Sequence, residues 1–137
     1  LEAFQEHSTY SSAQFLEHLI KAAPFKILCV QTDNGTEFTK RLLPGDNGPS
    51  LFETRLEQAG IRHKLIRPYT PRHNGKVERS HRKDNEYFYA DHKFYSSEDF
   101  KAQLKIHRYK YNRFPIRPLG WLSPNEYLAK YRNLSSV

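Results

Sequence analysis

The stretch that decides the fold is Phe25 to Gly35, which reads Phe-Lys-Ile-Leu-Cys-Val-Gln-Thr-Asp-Asn-Gly. The run Phe25–Thr32 is short, apolar and continuous, so we predict a strand that is buried on both faces. Asp33, Asn34 and Gly35 follow it as a turn signal. Asp33 therefore lies at the carboxyl end of a buried strand, where ligand sites of α/β sheets usually open.

Helical and strand patterns alternate on both sides of this stretch. A helix is predicted to begin at the capping-box pattern Ser11–Gln14 and to stop at Pro24. In a later helix, Val77, His81 and Phe88 are expected to share one face. The order of the elements favours an α/β domain. The other predicted elements are a weak strand over Leu1–Glu6, a loop over Leu43–Ser50, a helix over Leu51–Gly60, a strand over Ile61–Ile66, an irregular segment over Arg67–Asn74, and helices over Gly75–Ala90, from Ser96 or Ser97, and from Pro124.

Length and composition exclude several classes of protein. The chain has 137 residues, which suits one domain, and its 37% of hydrophobic residues can form a core. No apolar run approaches the roughly 20 residues that a membrane span needs. A single cysteine, Cys29, excludes an internal disulfide and a multi-cysteine zinc cluster. We expect a small, basic, cytoplasmic protein.

The positive charge is concentrated in two segments. The chain carries 22 Lys and Arg against 15 Asp and Glu, and residues 62–83 hold eight bases with one acid, Glu78. Residues 101–117 add six bases and no acid. Such segments are typical of binding to a phosphate backbone, and the alternative is a charged face that keeps the protein soluble.

Asp33 and Glu78 are the candidate catalytic carboxylates. One carboxylate among eight cations suggests a phosphate site that a cation completes, because Mg²⁺ prefers oxygen ligands and supports phosphoryl transfer. The alternatives are structural. Asp33 also suits the first position of a type I turn, and Glu78 suits the first turn of a helix, where it complements the dipole.

Four segments resemble one family when taken together and in order. They are Gln31–Phe38 (Gln-Thr-Asp-Asn-Gly-Thr-Glu-Phe), the run from Gly60 to Arg79, Tyr111–Arg113 and Leu122–Leu128. They resemble the second-acid motif, the approach to the third acid and the closing motifs of insertion-sequence transposases. Those proteins share the catalytic core of retroviral integrases.

The resemblance implies a fold, an activity and a set of site residues. The fold is α/β and ribonuclease-H-like, with a mixed sheet flanked by helices. The activity is DNA cleavage and joining at an Asp-Asp-Glu site that binds two Mg²⁺ or Mn²⁺ ions, with Asp33 as the second acid and Glu78 as the third. Gly35 and Gly75 are expected to let the backbone approach DNA closely. The implied partners are DNA, as element ends and target, and further copies of the chain. The implied DNA contacts are Asn34, Arg72, His73, Asn74, Gly75, Lys76, Arg79, Arg82 and Lys83.

Three departures from the family pattern matter. No Asp precedes Asp33, so we expect a core fragment that lacks the first strand and the first acid. Between Asp33 and Glu78 lie 44 residues, more than is usual, and the Leu43–Ser50 loop is the natural place for the excess. Asn85 stands where many relatives carry Lys or Arg. We therefore expect residues 1–137 to form one core fragment, with residues 1–90 bearing the acids and residues 91–137 forming its helical part.

Two further interpretations stay open. A non-catalytic module could bind nucleic acid through the two basic segments alone, and a catalytically dead remnant could merely oligomerise. The Asp33 and Glu78 pair separates the first of these from the enzyme, because a binding module needs neither carboxylate.

Overall fold

A computed structural model describes residues 2, 4, 6–70, 72 and 75–135. The chain divides into an N-terminal unit, Phe4–Arg82, and a C-terminal unit that begins at Lys83. Within the described residues, no helix is long and apolar enough to cross a membrane. The elements in chain order are α1 (Thr9–Ala22), β1 (Cys29–Thr32), α2 (Leu51–Gln58), β2 (Arg62–Leu65), α3 (Gly75–Asp84), a π-helical turn (Asn85–Tyr89), α4 (Ser97–Tyr111), a 3-10 turn (Arg117–Leu119) and α5 (Pro124–Ser135).

The sheet of the N-terminal unit pairs β1 with β2 in parallel. Cys29 lies opposite Arg62, and Thr32 lies opposite Leu65. Parallel strands need a crossover connection, and α2 provides it here. The carboxyl ends of both strands therefore lie at the same end of the sheet, where Asp33 and Ile66 follow them.

The core of the N-terminal unit is a cluster of buried side chains from α1, from α2 and from the residue just before β2. Phe38 meets the ring of Phe52 edge-on, with 5.1 Å between ring centroids. The cluster consists of Leu16, Phe52, Leu56 and Ile61, with Ile20, Ile27, Val30 and Phe38 packed against it.

The core of the C-terminal unit centres on Phe88, which is 1% exposed. Its ring stacks on His107 at 4.8 Å and also contacts Phe94 and Phe100. Beside it, His107 Nε2 lies 3.1 Å from Asp84 Oδ1. This hydrogen bond satisfies the buried carboxylate of Asp84 and the partly buried imidazole of His107.

Several predicted helix boundaries are confirmed by their caps. Ser50 and Glu53 form a capping box at the start of α2. Gly60, with φ +67°, follows the C-cap of that helix. At α5, the Glu126 carboxylate accepts a hydrogen bond from the Ser123 amide, while the Ser123 hydroxyl accepts one from the Glu126 amide.

Three predictions near the start of the chain differ from the structure. Helix α1 begins three residues earlier than the Ser11 pattern indicated, because the Ser8 hydroxyl caps it by accepting from the Ser11 amide. The predicted strand Phe25–Thr32 is shortened to β1, because β2 provides only four partner residues. Nor is β1 buried on both faces, since Gln31 is exposed and Thr32 is its one buried residue. Among the described residues of the weak strand Leu1–Glu6, namely Glu2, Phe4 and Glu6, none lies in a strand.

The predicted helix Gly75–Ala90 changes its geometry part-way. Its α-helical part ends at Asp84, and the Ala90 amide then bonds the Asn85 carbonyl in a π-helical turn. The predicted face of Val77, His81 and Phe88 is also wrong, because Val77 and His81 are exposed. Asp84 and Phe88 are buried instead, since both contact His107 of α4.

Candidate active site

Asp33 directly follows β1, and its side chain is exposed. Its Oδ1 accepts a hydrogen bond from the Gly35 amide at 2.9 Å. This is the local bond by which an Asp side chain stabilises a turn. The predicted turn is confirmed, and it holds the Asp33 carboxylate in place at the end of the strand.

A partly buried hydrogen-bond chain lies beside this turn. The Thr32 hydroxyl donates to the Asp33 carbonyl at 2.9 Å, and His63 Nε2 lies 2.8 Å from the same hydroxyl. The hydroxyl has one hydrogen, which it gives to Asp33, so His63 Nε2 must be the donor to Thr32. Burial lowers the pKa of His63, with the Glu53 charge opposing this in part. His63 is therefore a neutral donor at pH 7.

Sequence reasoning missed the role of His63. Ile61, His63 and Leu65 alternate with exposed Arg62 and Lys64, so His63 lies on the inward face of β2. That alternation was visible in the sequence and could have identified it.

The side chain of Asn34 faces inward at the same end of the sheet. Its Nδ2 donates to the Ile66 carbonyl at 3.0 Å, and its buried Oδ1 has no partner among the described residues. The Asn34 amide thereby joins the Asp33 turn to the segment that leads from β2 towards Glu78. Its predicted contact with DNA remains a prediction.

Gly35 has an intramolecular reason to lack a side chain. The Glu37 carboxylate occupies the space that a Cβ at Gly35 would need. This carboxylate also pairs with His7, whose Nε2 lies 3.0 Å from Glu37 Oε1, and the Glu37 side chain is 12% exposed. Glu37 is thus a second acid beside the Asp33 turn that was not assigned a role from the sequence. No described atom lies near the Cβ position of Gly75.

Glu78 lies in the first turn of α3 with its side chain exposed. It forms no ion pair with any other described residue. The predicted DNA contacts His73 and Asn74 lie outside the described residues. The basic residues Arg72, Lys76, Arg79, Arg82 and Lys83 are exposed, and none of them is paired with an acid in the described part of the chain.

Asp33 and Glu78 are suited to a hard divalent cation by their chemistry, because both offer carboxylate oxygens. The Gly35 amide engages one oxygen of Asp33, which leaves Oδ2 for a ligand. Among the described residues, no three His, Cys, Asp or Glu side chains are grouped to hold a metal ion. Each of the two carboxylates can thus offer oxygen ligands, and that Asp33 and Glu78 converge on one ion remains a prediction.

Asn85 begins the π-helical turn. A π-turn adds a residue to the helical repeat, so positions beyond it no longer follow the α-helical register of Glu78. Asn85 itself directly follows the α-helical residues of α3 and keeps the register of Glu78, so the π-turn does not explain the departure from the family pattern at this position.

Comparisons with known proteins agree with one another. Residues 59–124 match the family model described as integrase core domain. That range contains Glu78 and α4, whereas Asp33 precedes it. The chain is also 31% identical, over 125 residues, to the insertion element IS476 uncharacterized 39.2 kDa protein of Xanthomonas euvesicatoria. This alignment covers 89% of the chain and 34% of that relative, so the chain spans about a third of the relative's length.

The fold is similar to a solved structure, that of the catalytic core domain of BIV integrase. The TM-score is 0.65 at 24% identity, and the match covers 98% of this chain and 80% of that domain. This likeness confirms an integrase-core arrangement of helices and strands, and of the predicted mixed sheet the described residues show only the parallel pair of β1 and β2. Together the comparisons confirm the resemblance that the motifs indicated, to the catalytic core of insertion-sequence transposases and integrases.

Proposed function

We propose that this chain of the transposase and integrase core type contributes Asp33, Glu78 and a basic surface to metal-dependent cleavage and joining of DNA strands. The observation that carries the proposal is the Asp33 turn. Its carboxylate is exposed at the end of a parallel strand and is held by the Gly35 amide at 2.9 Å. A carboxylate fixed by its neighbours loses little freedom when it binds a cation.

The partly buried groups beside the turn support this role by fixing the strand end. Thr32 holds the Asp33 carbonyl, and His63 holds Thr32. Asn34 fixes the start of the following segment through Ile66. When bound, Mg²⁺ or Mn²⁺ supplies Lewis-acid stabilisation of charge on phosphoryl oxygens.

The exposed cations around Glu78 support DNA binding. Arg79 and Arg82 lie on the same helix as Glu78 and have no acid partner among the described residues. Such side chains are free to neutralise phosphates, which gives affinity with little sequence preference. For the whole protein we propose element ends and target DNA as partners, and a homo-oligomer as the assembly.

A non-catalytic module that binds nucleic acid is the rival function. The exposed cations favour it as much as they favour an enzyme. Metal binding separates the two, because a binding module has no use for Asp33 and Glu78 as shared ligands.

The first test is therefore Mn²⁺ binding to the 137-residue chain, measured by titration calorimetry and by the electron paramagnetic resonance signal of the free ion. We expect weak binding of one ion. Asp33→Asn and Glu78→Gln should each weaken it by at least about tenfold, because each removes a ligand charge from the same ion. Glu57→Gln removes an exposed acid from α2 and should change nothing. Equal affinity in the wild type and in Glu78→Gln would show that the two carboxylates do not share an ion.

The same chain is expected not to join DNA strands in Mn²⁺. A two-ion site needs enough carboxylates to hold both ions against their repulsion, and the described residues gather no group of three metal ligands. Efficient joining that Asp33→Asn abolishes would support the catalytic role and show that another acid, such as Glu6 or Glu37, completes the site.

A further inference from the structure

A second charged surface lies in the C-terminal unit. No Asp or Glu occurs between Asp99 and Glu126, whereas Lys and Arg occur six times there. Outside this stretch and residues 62–83, acids outnumber bases by fourteen to eight. The positive charge is therefore localised in these two stretches and is not spread over the chain.

Helix α4 has one packed face and one charged face. Leu104 is buried, and His107 on the same side bonds Asp84 and stacks on Phe88. Next to this face, Lys101 and Arg108, at positions i and i+7, lie in one row along the helix and are exposed. We call Lys101, Lys105 and Arg108 the α4 stripe.

The stability of α4 does not explain the stripe. Lys101 and Lys105 lie outside the last helical turn, where cations complement the helix dipole. Like charges three and four residues apart destabilise a helix, and the stripe contains two such pairs. No ion pair relieves them within the described residues. The free protein thus carries repulsion that a polyanion would relieve.

A fixed arginine lies next to the stripe. The Arg113 guanidinium lies 3.5 Å from the ring centroid of Tyr109, and its Nη1 is 3.4 Å from the Tyr109 carbonyl. A guanidinium that already stacks on a ring has less freedom to lose when it contacts a phosphate.

We propose that the α4 stripe, with Arg113 beside it, binds the phosphate backbone of a DNA duplex and adds to duplex affinity independently of the cations around Glu78. The spacing suits this partner. Lys101 and Arg108 are seven residues apart, which is about 10.5 Å along a helix. Phosphates of one strand recur every 3.4 Å along the duplex axis, so the stripe spans roughly three of them. The inference goes beyond the proposed function because it does not require Asp33 and Glu78 to bind metal.

The test is the salt dependence of duplex binding by the 137-residue chain. The variant Lys101→Ala/Lys105→Ala/Arg108→Ala should reduce the slope of log affinity against log salt by about 2.7, for three lost phosphate contacts. Between 50 and 200 mM salt, the wild type should then lose about fortyfold more affinity than the variant. Fluorescence anisotropy with two unrelated duplexes measures this and should give the same slopes.

The matched control removes three exposed lysines elsewhere, in Lys21→Ala/Lys26→Ala/Lys130→Ala. Its slope should stay close to that of the wild type. An equal fall of the salt slope in both triple variants would overturn the proposal. Unchanged duplex binding by the stripe variant would overturn it too, as would a wild type that binds single-stranded DNA more tightly than the duplex. If Arg79→Ala/Arg82→Ala weakens binding while the stripe variant does not, the proposal fails and the basic surface around Glu78 stands. Absence of duplex binding at 50 mM salt would overturn both the α4 stripe and the basic surface around Glu78 as DNA-binding surfaces.

Discussion

His63 links the two strands of the N-terminal unit through a side chain. Its Nε2 donates to Thr32 on β1, 31 residues earlier, and its ring meets Phe52 edge-on at 5.6 Å. The ring is thus enclosed by a hydroxyl acceptor on one side and by the apolar core on another. Such surroundings stabilise the neutral imidazole and disfavour the cation.

This burial gives a pH dependence of folding with a definite sign. The pKa of His63 is lowered by burial in the folded protein, so the unfolded chain binds its proton more readily. The contribution of the neutral ring is present above the ordinary pKa of about 6.5 and is lost as the pH falls below it. His63→Gln should destabilise the fold by about 1 kcal/mol at pH 7.5, through the lost contacts. That difference should shrink at pH 5.5, as measured by urea unfolding at both values.

The control for this prediction is His81→Gln. His81 is exposed on α3, so its replacement should leave the free energy of unfolding at pH 7.5 close to that of the wild type. If the difference in unfolding free energy between the wild type and His63→Gln grew at pH 5.5, the prediction would be contradicted. The folded protein would then stabilise the imidazolium cation of His63 and not its neutral form.

The residues of the candidate site differ in how far the sequence could predict them. The position of Asp33 in a turn after β1 was predictable, because a turn after a strand is a local pattern, and its role in the site remains a prediction. The inward-facing amide of Asn34 and the placement of Glu37 over Gly35 depend on contacts after folding. His63 was predictable only from the alternation of β2, and its Thr32 partner depends on the register between two distant segments.

At the scale of elements, local capping patterns predicted most helix starts, and tertiary packing decided the features that they did not predict. Ser50, Ser96 and Ser123 cap helices where the sequence indicated. Ser11 had an equally good local pattern, but Ser8 caps α1. The π-helical turn after Asp84 was beyond local signals, because it follows the packing of two side chains against His107 of α4.

Ser50 caps α2 and also joins this helix to the loop that contains Phe38. It is 0% exposed, accepts from the Glu53 amide at 3.1 Å, and donates to the Phe38 carbonyl at 2.7 Å. Ser50→Ala should cost about 2–3 kcal/mol of unfolding free energy, because it removes the cap and leaves a carbonyl acceptor unpaired. Urea unfolding followed by far-UV circular dichroism measures this.

Ser8→Ala is the comparison for Ser50→Ala within the same unit. The Ser8 hydroxyl caps α1 and otherwise bonds the side chains of Glu6 and Ser11 near the surface. Its loss should cost only about 1 kcal/mol. Equal costs at the two serines would show that the bond from Ser50 to Phe38 contributes nothing to stability.

At the scale of the whole molecule, the small sheet leaves a strand edge without a neighbour, close to exposed apolar side chains. In the described residues it consists of β1 and β2 alone. Strand edges without a neighbour offer free amides and carbonyls to another chain. Next to β1, Phe25 is 56% exposed and Leu28 is 69% exposed. An unpaired edge beside exposed apolar side chains favours pairing with a second copy.

We therefore predict that the 137-residue chain self-associates through the β1 edge, with an average mass by light scattering that rises with protein concentration. Leu28→Lys should shift it towards the monomer, because a lysine at an exposed edge carries charge into any paired sheet. The fold should tolerate this change, since the Leu28 carbonyl, not its side chain, accepts the hydrogen bond from Arg62. Leu42→Lys adds the same charge at a loop leucine that is 56% exposed and should leave the mass distribution unchanged. A wild-type chain that stays monomeric at all concentrations would contradict the prediction, and equal effects of the two variants would locate the contact away from β1.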